Sequence, residues 1–203
     1  MGEAPTADLV SSDASVAILV SGETSTAEQG GPTGAPFGDT CPVDQAVVGY
    51  RGFLTPPPVG LTLIGGVQTL CGVLTLGASS PLGIATSPGA TLPMRGASRA
   101  SPWTQVCPAD QVVVGFSGRS GAALDQVAFE CAPWFAADAG GVGLSVGGSV
   151  TLMAAGRDGG MPFEDLCPPG QLARGTSGRS GQWVDSLALL CGSPTPSTDS
   201  GAP

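Results

Sequence analysis

The chain has 203 residues, of which 41% are hydrophobic and only 11% charged, and its formal net charge at pH 7 is −9. This balance argues against binding to nucleic acid or to an anionic membrane surface, because phosphates would repel an acidic chain. No apolar run approaches the ~20 residues of a membrane-spanning helix, so membrane insertion is not expected. The 33 glycines and 19 prolines, together with the hydrophobic content, are typical of many short strands joined by tight turns.

The first predicted element is a pair of short strands within residues 15–31, SVAILVSGETSTAEQGG. The same order of apolar strand, turn, second strand and glycine recurs at 81–96 and 142–156. These three segments alternate with longer ones that carry β-rich runs on both sides of a central turn. The longer segments, which we predict to be hairpins, are 41–71, 107–131 and 167–191.

The three hairpins form an internal repeat. Each begins with a Cys-Pro dipeptide and ends at a second cysteine, and a proline and an aromatic residue come five and four positions before the first cysteine. The aromatic residues of this column, Phe37, Trp103 and Phe163, are expected in the core. The repeat is typical of a fold built from one supersecondary unit used three times.

The six cysteines allow fifteen pairings, and the repeat favours the one in which each hairpin is closed by its own disulfide. The predicted disulfides are Cys41–Cys71, Cys107–Cys131 and Cys167–Cys191. The chain has no histidine and no Cys-x-x-Cys motif, so we expect neither a zinc site nor another metal or cofactor. Three disulfides indicate an oxidising location, secreted or at the cell surface.

The ends of the chain predict how the repeats are arranged. A strand pair precedes the first hairpin, whereas no such pair follows the third. We therefore expect the N-terminal strands to complete the sheet of the C-terminal hairpin. The result is an all-β fold, a β-prism of three antiparallel sheets with about four strands each and pseudo-threefold symmetry. Residues 13–192 are expected to form this single domain, with a flexible N-terminus at 1–12 and a disordered tail at 193–203.

Two hairpins share a turn motif, GRSGAALD at residues 118–125 and GRSGQWVD at 178–185. With the Val-Gly strand before it, this motif resembles the last hairpin of the jacalin-related lectins, in particular their mannose-binding group. The glycines before the Pro-aromatic step, as in GRDGGMPF, are similar to the glycine-rich loop of that family. The cysteine-bearing repeats also resemble those of vitelline-membrane outer-layer proteins, a β-prism group in which the fold does not guarantee sugar binding.

The resemblance implies a lectin for mannose- or glucose-type glycans, with an aspartate accepting hydrogen bonds from sugar hydroxyls and backbone amides donating to sugar oxygens. One implied site comprises Gly181, Gln182, Trp183 and Asp185, completed by Gly30 and Gly31. The other comprises Gly121, Ala122, Ala123 and Asp125, completed by Gly159 and Gly160. Because Trp183 offers an aromatic face to a sugar, the first of these sites is expected to be the stronger.

Other interpretations remain open at this stage. The first hairpin has Gly65 in the aspartate column, so no site is expected there. Both aspartates have a purely structural alternative, in which they bond to nearby backbone amides. The alternative function is an extracellular coat or matrix protein that self-assembles without binding sugar. Catalysis is not expected, since no nucleophile motif is present. Two sites on one chain, or a homo-oligomer, would raise avidity.

Overall fold

The computed structural model describes residues 16–55, 62–77, 83–97, 100–136 and 144–197. Within these ranges the regular secondary structure consists of β-strands alone. No helix there has the length and apolar character needed to cross a membrane. In chain order the strands are β1 Ile18–Ser25, β2 Gln29–Gly30, β3 Ala35–Thr40, β4 Gln45–Leu54, β5 Ile64–Leu76, β6 Ile84–Thr91, β7 Arg95–Gly96, β8 Pro102–Val106, β9 Gln111–Ser120, β10 Leu124–Ala136, β11 Leu144–Val146, β12 Val150–Thr151, β13 Ala155–Gly156, β14 Met161–Leu166, β15 Leu172–Ser180 and β16 Val184–Pro196.

Each of the three antiparallel sheets has one predicted hairpin at its centre. The four-strand orders are β6-β5-β4-β8, β11-β10-β9-β14 and β1-β16-β15-β3, and the short strands β7, β12, β13 and β2 pair alongside. One outer strand of each sheet begins the next repeat: β8 joins the first hairpin, β14 the second and β3 the third. The predicted closure is confirmed, because β1 and β3 complete the sheet of the C-terminal hairpin.

The three predicted disulfides are confirmed, one in each repeat. They join the open ends of the hairpins, where a cross-link reduces the number of conformations open to the unfolded chain. The turn of the second hairpin lies at residues 121–123 rather than at Arg119, the midpoint between its cysteines. The shift arises because the strand partner of Cys131 is Val113 rather than Cys107. Cys107 lies before β9 and is separated from it by a turn in which the Gln111 amide donates to the Pro108 carbonyl.

Large side chains from all three sheets fill the centre of the prism. Tyr50 and Phe129 are fully buried and stack with ring centroids 3.7 Å apart. The Tyr50 hydroxyl lies 2.8 Å from the Thr176 hydroxyl of another sheet, which satisfies a buried polar group. Burial raises the pKa of Tyr50 far above its ordinary value. The column predicted to be core, Phe37, Trp103 and Phe163, is partly buried and packs against this cluster.

A different polar pair joins the sheets at each of the three seams. Arg95 donates to Asp39 through two nitrogens, at 2.7 and 2.5 Å. The Gln29 side chain donates to the Asp165 carboxylate at 2.7 Å. At the third seam the Gln105 amide bonds to the backbone of β10. Asp39, Gln105 and Asp165 each lie two residues before the first cysteine of a hairpin, so the three seams are joined from the same column of the repeat.

The described chain extends past the predicted end of the domain at residue 192. Strand β16 continues to Pro196, which pairs with Ile18 at the start of β1. The predicted tail is therefore wrong for residues 193–196, since pairing with β1 satisfies their backbone groups. The predicted N-terminus at 1–12 and the rest of the predicted tail from residue 198 lie outside the described residues.

Candidate functional site

The turns of the second and third hairpins have the same backbone geometry. Gly121 N–H donates to the Ala123 carbonyl at 3.0 Å, and Gly181 N–H donates to the Trp183 carbonyl at 2.9 Å. This bond reverses the chain within three residues. Each turn places an aspartate, Asp125 or Asp185, at the second residue of the returning strand. The motif recognised in the sequence thus forms the same turn twice.

The carboxylate of Asp125 lies between two glycines. A Cβ on Gly159 would lie 2.8 Å from the Asp125 Cγ, and a Cβ on Gly121 would lie 3.9 Å from Oδ2. A side chain at position 159 would therefore displace this carboxylate from its present position. Asp125 is 8% exposed, and no group of the described chain donates a hydrogen bond to its side chain. Burial raises the pKa of the Asp125 carboxyl, and the positive charge of Arg119 partly opposes the rise.

Hydrogen-bond donors are present beside this carboxylate. The amides of Ala122 and Ala123 donate to no acceptor among the described residues, whereas the adjacent Gly121 amide is used within the turn. A carboxylate with unused lone pairs beside unused N–H groups can bind a ligand that both donates and accepts hydrogen bonds. Within the described chain, the turn therefore has one carboxylate and two backbone amides without hydrogen-bond partners.

The loop opposite the turn is held in place by the hairpin itself. Arg119 Nε donates to the Gly159 carbonyl at 2.7 Å, and a second guanidinium nitrogen donates to the Gly160 carbonyl at 3.0 Å. The Arg157 amide donates to the Asp125 carbonyl at 3.2 Å. Gly159 and Gly160 thus lie where the sequence predicted them, against the Asp125 turn, and Arg119 positions the loop.

The carboxylate of Asp185 has a partner that Asp125 lacks. Thr33 Oγ1 donates to Asp185 Oδ1 at 2.5 Å. A Cβ on Gly34 would overlap Oδ2 of the same carboxylate, so the chain lies closely over both oxygens. Asp185 is 4% exposed. Arg179 Nε donates to the Thr33 carbonyl at 3.1 Å and so holds the threonine in place. The third hairpin therefore uses its aspartate within the chain.

Thr33 and Gly34 are not part of the Gly-Arg-Ser-Gly motif, but the sequence contains a signal for both. Aligning GGPTGAPF with GRDGGMPF on the Pro-aromatic pair places Thr33 in the column of Gly159, and Gly34 in the column of Gly160. The register agrees, since Gly30 pairs with Ser186 as Gly156 pairs with its counterpart on β10. Of the differences between the two loops, Thr33 in place of Gly159 is the one that supplies a hydrogen bond to the carboxylate.

Gly30 and Gly31 lie near Asp185 but do not contact its carboxylate. Gly30 packs against the Asp185 backbone, and the Gly31 amide donates to the Asp185 carbonyl at 2.9 Å. The other side of Gly31 faces the second hairpin: a Cβ there would lie 2.7 Å from the carbonyl carbon of Ala122. Because the two turns are neighbours at one end of the prism, Gly31 belongs to both.

The remaining predicted site residues lie at the turn of the third hairpin. Gly181 and Gln182 are exposed, and Trp183 is partly buried. In the first hairpin the aspartate column holds Gly65, whose carbonyl lies against Gly96. Among the described residues, no group of three or more acidic, cysteine or histidine side chains is arranged to hold a metal ion.

Several solved lectin structures have a fold similar to that of this chain. Banana lectin from a Malaysian banana is 11% identical over 84% of this chain and 98% of that chain, with a TM-score of 0.53. The agglutinin of Calystegia sepium is 15% identical over 85% of this chain and 97% of its own, with a TM-score of 0.54. Artocarpin in complex with methyl-α-mannose is 13% identical over 85% and 99%, with a TM-score of 0.52.

These similarities establish the β-prism fold of the jacalin-related lectins for this chain. At such identities they carry the fold alone. No protein-family model matches the sequence, and no curated protein sequence matches it. The resemblance to vitelline-membrane outer-layer proteins stays a prediction.

Proposed function

We propose that the protein is a carbohydrate-binding lectin that recognises mannose- or glucose-type ends of glycans through the turn at Asp125. The observation that carries this proposal is the free carboxylate of Asp125, which lies beside two amides with no acceptor in the described chain. A sugar presents neighbouring hydroxyls that each donate and accept. Such a pair of hydroxyls matches one ionised acceptor next to two backbone donors.

The fold comparison supports the same function. Artocarpin has been solved with methyl-α-mannose, and the Calystegia lectin with a biantennary N-glycan. Both share the three-sheet architecture that places the hairpin turns of this chain at one end of the prism. The Gly-Arg-Ser-Gly motif before Asp125 adds the resemblance to the mannose-binding group.

We rank the two sites by whether the carboxylate is already hydrogen-bonded within the chain, rather than by the presence of Trp183. The sequence favoured Asp185 because of Trp183. Thr33 occupies a lone pair of Asp185, and a sugar hydroxyl would have to displace that bond. Asp125 requires no such exchange. We therefore propose Asp125, with Gly121, Ala122, Ala123, Gly159 and Gly160, as the principal site.

Binding at one such site is expected to be weak, with a dissociation constant on the order of 1 mM, because a shallow site replaces only a few hydrogen bonds to water. We propose that the protein acts outside the cell or at its surface, where its three disulfides persist. Self-association would raise its avidity for glycans that carry several mannose ends.

Calorimetric titration with methyl α-mannoside tests the proposal with two matched variants. Asp125→Asn removes the charged acceptor with little change in shape, and its dissociation constant is expected to rise about 100-fold or more. Asp185→Asn makes the same change where the carboxylate is already bonded, and its affinity is expected to stay within about twofold of wild type.

Thermal melting is the control for folding. Asp125→Asn is expected to melt no lower than wild type, because burial disfavours the ionised form of this carboxyl in the folded state. If wild-type protein binds no glycan on an array yet forms ordered assemblies, the result would favour a coat or matrix protein over a lectin. Equal losses in the two variants would remove the assignment to Asp125.

A further inference from the structure

The positions equivalent to Gly31 have side chains in the other two repeats. The residues that follow the equivalent glycines are Arg157 in the second repeat and Ala97 in the first. Arg157 makes the same backbone bond as Gly31, to the carbonyl of its own repeat's aspartate. The local conformation of this segment therefore does not require glycine.

The neighbouring hairpin does require glycine there. A Cβ on Gly31 would lie 2.7 Å from the carbonyl carbon and 3.1 Å from the Cα of Ala122. These are backbone atoms, which cannot rotate away as a flexible side chain can. A side chain at position 31 must therefore displace either its own segment or the turn that contains Ala122.

The two segments differ in how firmly they are held. The segment of Gly31 is fixed by its amide bond to the Asp185 carbonyl and by the pairing of Gly30 with Ser186. The turn at 121–123 has one internal hydrogen bond, and Gly121 and Ala122 are exposed. The turn is thus the part that would move.

A second contact links the same segment to the other side of the turn. The Gln29 amide donates to Asp165 Oδ2 of β14 at 2.7 Å, and the Ser120 hydroxyl lies 3.5 Å from Gln29 Oε1. Residues 29–31 of one repeat therefore contact both the residue before the turn of the next hairpin and the strand that follows its glycine loop.

We infer that Gly31 is a positioning residue for the Asp125 site, and that its missing side chain sets where the Ala122 and Ala123 amides lie. This inference rests on the proposed function for its consequence in sugar binding. It adds a residue of the third sheet to a site whose other residues belong to the second sheet.

The test compares Gly31→Ala with Gly38→Ala, since a Cβ on Gly38 meets no atom within 4 Å. Amide resonances in ¹H–¹⁵N NMR spectra without sugar report the position of the turn, and titration with methyl α-mannoside reports affinity. In Gly31→Ala we expect shifted resonances at 120–123 and a dissociation constant about tenfold higher, as for one misplaced donor. Gly38→Ala should match wild type in both.

Gln29→Ala provides a second variant, which adds no bulk at the contact. It removes the contacts to Asp165 and Ser120, so we expect smaller shifts at the same turn and an affinity loss of about threefold. Unshifted resonances at 121–123 in Gly31→Ala would overturn the inference. Shifts spread over all three sheets would also overturn it, by making Gly31 a residue of general stability.

The spectra separate this inference from the proposed function. If wild-type protein binds no methyl α-mannoside, the proposed function fails at this ligand. The turn resonances of Gly31→Ala still decide whether Gly31 holds the turn. If wild-type protein binds and Gly31→Ala binds equally well, the proposed function survives and the positioning role is refuted.

Discussion

The turns at Asp125 and Asp185 share the Gly-Arg-Ser-Gly motif, the same backbone hydrogen bond and the same place in the repeat. Only the carboxylate of Asp185, however, accepts a hydrogen bond from the described chain. Asp185 accepts a hydrogen bond from Thr33, whereas Asp125 faces the bare backbone of Gly159. The difference therefore comes from the loop across the turn, which another part of the chain supplies. A motif such as Gly-x-x-x-Asp gives the acceptor, and the facing loop decides whether the acceptor is available to a ligand.

We call the turn at Asp125 the open turn, because its carboxylate has no hydrogen-bond donor in the described chain, and the turn at Asp185 the closed turn, because Thr33 donates to its carboxylate. The largest effect is expected from giving the open turn the threonine of the closed one. Gly159→Thr places a methyl and a hydroxyl where the Asp125 carboxylate now lies. We expect the affinity for methyl α-mannoside to fall about 100-fold, because the charged acceptor is displaced or bonded within the chain. Calorimetry measures the loss. Gly148→Thr, at a position with no atom near the added Cβ, is the control and should bind normally.

The reverse change should open the closed turn. Thr33→Gly removes the donor to Asp185 and gives the third repeat the glycine found at 159. We expect the number of mannoside sites per chain, measured by calorimetry, to rise from one to two, with affinities within about tenfold of each other. Thr33→Ser keeps the hydroxyl and should leave one site. An unchanged stoichiometry in Thr33→Gly would show that Thr33 does not close the turn.

The open turn should also be the more sensitive to acid. Its carboxyl has a pKa raised by burial, and sugar binding requires the ionised form. As the pH falls through this raised pKa, the dissociation constant is expected to rise by up to about tenfold per pH unit. Titrations between neutral and mildly acidic pH measure the effect. Affinity that holds down to the ordinary pKa of an aspartate would contradict the raised value.

The same shift predicts how stability changes with pH. A carboxyl whose pKa is higher in the folded chain favours folding in its protonated form, so ionisation destabilises the fold at neutral pH. Asp125→Asn should therefore melt at or above the temperature of wild type at pH 7. The difference between the two should disappear as the pH falls through the folded-state pKa and then the unfolded one. A melting temperature below wild type at neutral pH would reverse the sign.

The smallest effect is expected from the arginines that hold the two loops. Arg119 makes two bonds to the carbonyls of Gly159 and Gly160, while Arg179 makes one to the Thr33 carbonyl. Arg119→Lys loses the forked geometry and should weaken mannoside binding about threefold. Arg179→Lys makes the same exchange at the closed turn and should change affinity little. A larger loss in Arg179→Lys would link the closed turn to binding directly.

Much of the fold could be predicted because the pattern repeats. The cysteine columns give the disulfides, and the unpaired strand segment before the first hairpin gives the closure of β1 and β3 on the third hairpin. The position of the turn could not be obtained in this way, since Cys131 pairs with Val113 rather than with Cys107, which places the turn at residues 121–123 instead of at Arg119. The number of residues between a cysteine and the first paired residue of its strand depends on the conformation of the intervening turn, which the cysteine spacing does not specify.

The residues of the candidate site could be predicted, but not which of the two carboxylates is already hydrogen-bonded within the chain. Asp125 and Asp185, with Gly159 and Gly160, are expected from the resemblance to the jacalin-related lectins. The closing of Asp185 depends on one hydroxyl, that of Thr33, which comes from a segment distant in sequence. The contact of Gly31 with the neighbouring turn depends on the angle between two sheets. The column of Thr33 can be obtained by aligning the two loops, but its bond to Asp185 and the contact of Gly31 with the neighbouring turn arise from tertiary packing.

The pairing of Ile18 with Pro196 has a consequence for how the chain folds. The hairpins join residues close in sequence and can form early, whereas the sheet of β1 and β16 joins the most distant strands described. The entropy of closing so long a loop must be overcome before those contacts stabilise the fold, which slows the last step. Until then β15 and β16 have exposed edges, open to pairing with another chain.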